Sequence, residues 1–279
     1  MLSGVYPEKT YTKMRFCPVK INTLLTPFMI RPFLLRLSLL TLLIGLLVAC
    51  RISYVPSQAQ YGNQRITREL ATDSALYFLI KPYGDSVEKS MSTVVGTVRD
   101  LLEKGQPEGT LGNFMADAYL TMGARQFGEP IDAAFVNYGG IRLLQLPAGP
   151  LTLGKIFELM PFDNVLVLQQ LSGTQLQSFL DLVAARGGWP VAGIRFVIKD
   201  KKAIDIYIRD RPIQPDAQYW ILNSDFVASG GDNADMLKVL PQRSTGYLAR
   251  KALIDYALLQ SRQQGFIGAV LENRVRYAQ

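Results

Sequence analysis

The 279-residue sequence contains no histidine. That absence removes the commonest general base at neutral pH, every Ser-His or Cys-His nucleophile arrangement, and imidazole ligation of a metal. Cysteine is almost as scarce, with only Cys17 and Cys50 present. A mature chain starting at Cys50 therefore has no disulfide partner, and no set of thiols exists to hold zinc. Internal repeats and low-complexity segments are also missing. The uncharged apolar run Leu37–Ala49 has only thirteen residues, too few for a comfortable transmembrane helix.

That run is the right length for the apolar part of a secretory signal. Arg31 and Arg36 precede it, and it ends in Leu47-Val-Ala-Cys50. Small residues before a cysteine look like a bacterial lipoprotein signal, with Cys50 as the lipidated first residue of the mature chain. An ordinary N-terminal anchor helix is the alternative. Residues 1–28 make a poor leader, interrupted by Pro7, Pro18 and Pro27, and Met29 offers a more conventional start. The expected product is an exported, membrane-anchored lipoprotein of the periplasm or cell surface.

Removing the leader changes the charge argument. The whole chain carries +7, but six bases and one acid lie in its first 49 residues, which leaves 24 bases against 22 acids. No basic excess on the scale of nucleic-acid binding remains. The organisation read from the sequence is a leader over residues 1–49, a polar tether over 50–75 and one domain over 76–279.

Within that domain, Asp85–Met91 suggests a short helix and Thr93–Val98 a strand. Thr110 is placed to cap a helix over Leu111–Arg125. Further helices are expected over Thr152–Met160, Gln175–Arg186 and Thr245–Gln263, the last with Leu248, Ala252, Ile254, Leu258 and Leu259 inward. Ile194–Ile198 and Ile204–Ile208 read as a hairpin, with Ile204, Ile206 and Ile208 alternating inward.

The chain is organised around Asn137-Tyr-Gly-Gly-Ile-Arg142. The apolar run Ile131–Val136 reads as a buried strand that ends at Asn137. The Gly139-Gly140 pair is expected to turn the backbone with positive φ. An amide and a guanidinium are thus left at a strand mouth, where ligand groups are often held. Phe162 follows Pro161, and Asn164–Leu171 is a second apolar run that reads as a buried strand. Taken alone, Phe162 and Phe226 fit core positions as well as a binding role, and Arg142 fits a surface ion pair. Asp225, Asp232 and Asp235 fit capping and turn duties.

The strings Asn137–Arg142, Leu159–Asn164 and Tyr219–Asn233, with Leu111–Asp117 before them and Val191–Phe196 between, resemble the C-terminal, substrate-binding domain of 5′-nucleotidases. The pieces span roughly Ser90 to Arg276 in the right order. The resemblance implies an α+β fold of layered mixed sheets with flanking helices, within a hydrolase family of nucleotide catabolism. It implies that Phe162 and Phe226 sandwich a base, Asn137 bonds the base edge, Asp232 takes the ribose hydroxyls and Arg142 faces phosphate. A complete family member resembles two joined parts, the other being a two-metal phosphoesterase that needs histidine ligands absent here. The expectation is therefore a nucleotide- or nucleoside-recognition domain with no metal site and no catalytic residue of its own. It would work with a separate metallophosphatase that holds the divalent metals, bind no nucleic acid, and sit at the membrane through its lipid. The alternative is a non-catalytic nucleoside-binding lipoprotein. One departure stands out: the family places arginines in the loop that here reads Lys104–Gly109, and only Lys104 is cationic.

Overall fold

The fold is built outward from the apolar run beginning at Val165. In this computed structural model, which describes residues 37–43 and 73–279, Val165–Ser172 is a strand buried along most of its length. It can be so apolar because it lies inside a sheet covered on both faces. The order across that five-stranded sheet is Arg243–Leu248, Val165–Ser172, Gln218–Ser224, Ala133–Phe135, Val191–Ala192. Only Gln218–Ser224 and Ala133–Phe135 pair in parallel; the other neighbours are antiparallel.

Alternate residues of these strands feed two separate cores, as the period of two requires. Leu166, Leu168, Ala134 and Leu222 belong to one, and Leu171, Ala133, Phe135 and Ile221 to the other. Helices Thr110–Phe127 and Ala249–Gln264 close the first core, with the rings of Phe114 and Tyr256 5.7 Å apart. Helix Gly173–Ala185 closes the second, and Phe179 stands edge-on to Phe135 at 5.0 Å and to Trp189 at 5.8 Å. A second sheet lies against this helix, in the order Arg211–Pro212, Lys202–Ile208, Ile194–Lys199, Val275–Tyr277. The α+β class and the layering expected from the sequence are the architecture observed, and Ala71–Gln279 forms one compact unit. Residues 37–43 are helical. Cys50, Met29, most of the leader and most of the tether lie outside the described residues.

Several local expectations are corrected. Thr245–Gln263 is not one helix: Arg243–Leu248 pairs with Val165–Ser172 as an edge strand, and the helix starts at Ala249. Its buried side is Ala249, Ala252, Leu253 and Ala257, with Ile254, Leu258 and Leu259 half-buried. Thr110 does not cap the helix that follows; it is the first residue of that helix. Gly109 holds the N-cap position, and the Thr110 hydroxyl accepts from the Glu103 amide at 2.8 Å. Ile204 faces outward, because Asp205 at φ 50° breaks the alternation; Ala203, Ile206 and Ile208 are the buried residues. The helix expected over Asp85–Met91 begins at Ser74 and runs through Pro82, with no buried residue. Asp73 caps it by accepting from the Leu76 amide at 3.0 Å.

Asp181 ties helix Gly173–Ala185 to the second sheet. Burial alone would push its carboxyl up, but the Ala203 amide, Lys202 and Gln177 donate to it and hold it below the ordinary carboxylate range. A carboxyl depressed by folding stabilises the folded state above its unfolded pKa, and that stability is lost as pH falls through the folded value. We therefore expect the melting temperature to fall below about pH 4, and Asp181→Asn to flatten that acid limb while lowering the neutral plateau. An unchanged acid limb in thermal melts of Asp181→Asn would rule this group out as the source.

Candidate functional site

The Asn137–Arg142 segment leaves the central sheet immediately after Ala133–Phe135. Tyr138–Gly140 forms a 3-10 turn, and neither Gly139 nor Gly140 takes the positive φ expected of the pair. What Gly140 supplies is room. A Cβ there would stand 2.7 Å from Oδ1 of Asn137, whose side chain is buried against it. Nδ2 of Asn137 donates to Oδ2 of Asp232 at 2.7 Å. Arg142 is held by its backbone, which donates to the Leu159 carbonyl at 3.1 Å, while its exposed guanidinium lies 5.7 Å from the Phe162 ring centre.

Phe162 is 36% exposed and is positioned through its main chain. Nη1 of Arg250 donates to the carbonyls of Phe162 at 3.0 Å and Met160 at 3.2 Å. Nη2 donates to Asp163 at 2.5 Å, and the guanidinium lies 4.0 Å over the Phe157 ring. This buried arginine was invisible in the sequence, where a cation in an amphipathic helix reads as part of the solvated face.

Phe226 is the second residue of the short helix Asp225–Ala228. Oδ1 of Asp225 accepts from the amides of Val165 and Phe226, which locks this turn to the start of the buried strand. The Phe226 ring lies against Gly231, where an added Cβ would collide with the ring edge. Asp232 follows in the left-handed region at φ 53°. Asp225 therefore has the local structural duty expected of it, and Asp235 pairs with Lys238 at 2.8 Å.

Five residues from three distant stretches thus meet. Asn137, Arg142, Phe162, Phe226 and Asp232 all line one pocket of about 300 Å³, with Asn164 and the two glycines completing its wall. It offers two partly exposed aromatic rings, an amide–carboxylate pair and a guanidinium. Lys104 approaches but is otherwise engaged: Nζ donates to the Ile141 carbonyl at 2.9 Å and lies 4.0 Å over the Tyr138 ring. Burial, and then the charge of Arg142, hold its ammonium below the ordinary lysine range.

The Leu111–Asp117 string has a different task. Gly112 lets Pro190 approach, since a Cβ would meet its ring at 2.5 Å. Nδ2 of Asn113 donates to Glu108 at 2.6 Å and to the Val270 carbonyl at 2.8 Å. Asp117 pairs with Arg274 at 2.7 Å. These contacts tie the helix to the C-terminal segment. Among the described residues, no three His, Cys, Asp or Glu side chains are grouped to hold a metal ion, and no helix is long and apolar enough to cross a membrane.

Residues 90–239 match the family model for the 5′-nucleotidase, C-terminal domain. The chain belongs to that family. Among its relatives is the silent protein UshA(0) of Salmonella typhimurium, 25% identical over 201 residues, covering 68% of this chain and 35% of that protein. A 5′-nucleotidase of Vibrio cholerae is 25% identical over 207 residues, covering 70% of this chain and 36% of that one. The crystal structure of a 5′-nucleotidase precursor from Thermus thermophilus matches with a TM-score of 0.63 at 25% identity. It covers 74% of this chain and 43% of that one. The chain therefore spans about a third of the length of the curated relatives it matches.

Proposed function

We propose that this 5′-nucleotidase C-terminal domain is the nucleotide- or nucleoside-recognition part of a split 5′-nucleotidase. It would act outside the cytoplasm with a separate metallophosphatase, and the leader-like run ahead of Cys50 supports export with a lipid anchor. The observation that carries the reading is the convergence of Asn137, Arg142, Phe162, Phe226 and Asp232 on one pocket. Aromatic rings can stack on the faces of a base, which all bases share. A carboxylate accepts from the sugar hydroxyls. The planar guanidinium of Arg142 matches phosphate with paired, charge-assisted bonds. The metals and the attacking water would belong to the partner.

Calorimetry with adenosine and AMP tests this. Arg142→Ala is expected to weaken AMP binding about tenfold while changing adenosine by less than about twofold, since only phosphate gains from the guanidinium. Equal losses for both ligands would remove phosphate from the reading. The non-catalytic nucleoside-binding alternative is favoured by one observation, the engagement of Lys104 with Ile141 and Tyr138, which leaves Arg142 to face an anion. Adding a separate metallophosphatase separates the two: stimulated AMP hydrolysis supports the split enzyme, and its absence supports the binding protein.

A further inference from the structure

The turn that carries Asp232 is bent unusually and held from outside. Gly230, Asp232 and Asn233 lie at φ 91°, 53° and 62°, so the chain passes repeatedly through the left-handed region. Aspartate and asparagine tolerate that region better than most residues, but they occupy it stably only when neighbours hold them. The turn's own backbone ties its two ends, the Gly230 amide donating to the Val227 carbonyl at 2.9 Å and the Ala234 amide to the Gly231 carbonyl at 3.2 Å, but it does not hold the Asp232 and Asn233 side chains.

Two side chains supply the rest. Asn137 holds Oδ2 of Asp232 from inside the pocket. From the other side, Nη2 of Arg186 donates to Oδ1 of Asn233 at 2.6 Å, and Nη1 stands 3.8 Å from Oδ1 of Asp232. Arg186 does not line the pocket. It is rooted at the C-terminal cap of helix Gly173–Ala185, where a cation is favoured by the helix dipole. Its carbonyl and that of Gly188 both accept from Nε2 of Gln106, at 2.9 and 2.8 Å. The guanidinium therefore projects from a well-anchored helix terminus onto a strained surface turn.

We propose that Arg186 is a positioning residue that holds the Asp232 carboxylate in the orientation needed to accept the hydroxyls of a ribose. The proposal rests on the pocket reading above and adds to it a residue that touches no ligand. A planar fork is suited to the task, because one nitrogen bonds Asn233 while the next faces Asp232. Each carboxylate oxygen has two acceptor sites, so Oδ2 retains one after bonding Asn137, and Oδ1 at 3.8 Å from Arg186 remains open. Releasing Asn233 would let the carboxylate swing away from a diol, while Phe226 stays rooted on the short helix Asp225–Ala228 and Phe162 stays held through its carbonyl by Arg250.

The test compares adenosine with 2′,3′-dideoxyadenosine by calorimetry on the full chain. The unmutated protein is expected to prefer adenosine. Arg186→Ala is expected to weaken adenosine binding about five- to tenfold and to leave the dideoxynucleoside unchanged, so that the preference collapses. Asn233→Gly, which keeps the left-handed backbone but cuts the same bond, should give the same collapse and guards against a folding defect in the arginine variant. In an Asp232→Ala background, Arg186→Ala should have no further effect. Equal losses for both nucleosides would make Arg186 a general scaffold residue and overturn the proposal, as would no loss at all. No preference for adenosine in the unmutated protein would also overturn it. If the unmutated protein binds neither nucleoside, the pocket reading itself fails and takes this inference with it.

Discussion

Phe226→Ala is expected to weaken adenosine binding about ten- to a hundredfold, the ~1–3 kcal/mol of one lost stacking face. Stability should barely change. Phe226 is 47% exposed and rests on Gly231, so truncation removes few buried contacts. A core phenylalanine such as Phe179, fully buried between Phe135 and Trp189, would instead cost ~3–5 kcal/mol of stability on the same change. Gly231→Ala approaches the same ring from beneath. Its Cβ cannot coexist with the present ring position, so it should displace Phe226 and reproduce much of the binding loss. Calorimetry paired with thermal melts distinguishes the outcomes. A sharp fall in melting temperature with unchanged adenosine affinity would make Phe226 a packing residue and end its role as a clamp.

Arg250→Met is expected to lower stability by about 1–3 kcal/mol. Its side chain is 9% exposed, and its removal leaves the carbonyl of buried Met160 without its donor. A buried group stripped of its partner bears the full desolvation cost, which is why breaking one side of such a contact costs more than the contact is worth. The ion pair itself matters less, because Asp163 is 82% exposed and solvent screens it. Asp163→Asn should therefore be nearly neutral. Denaturant unfolding of the two variants checks both statements. A stability loss below about 1 kcal/mol for Arg250→Met would show that water satisfies those carbonyls. Because Arg250 also fixes the Phe162 carbonyl, the variant should loosen that wall of the pocket and weaken adenosine binding as well.

Much of this was legible in the residues. The runs Ile131–Val136 and Asn164–Leu171 contain buried strands, because a continuous apolar run of that length is at home only where both faces are covered. Thr152 and Ser172 cap the helices that follow them, each accepting from an amide three residues on, and local hydroxyl chemistry is enough to predict that. The five residues quoted for the pocket were chosen from strings in order along the chain, and the fold brings all five to one cavity.

Other features took their meaning from the folded chain. Arg243–Leu248 is a strand only because Val165–Ser172 offers it an edge; by period alone its residues continue a helix. Gly140 looked like a source of backbone freedom, yet it makes room for the Asn137 side chain, and Gly231 likewise makes room for the Phe226 ring. Arg186 and Arg250 carried no signal, since the meaning of an arginine depends on the acceptors that tertiary packing places around it. Composition, apolar period and local capping are properties of neighbouring residues. They were therefore enough for the buried strands and several of the helices, whereas the class of fold and the candidate pocket residues came from the resemblance of the quoted strings to the 5′-nucleotidase C-terminal domain. The cations that brace the pocket reach acceptors 47 and 88 residues away in the chain, at Asn233 and Phe162. Those contacts, like the pairing of the edge strand, exist only once the sheet and its helices have closed.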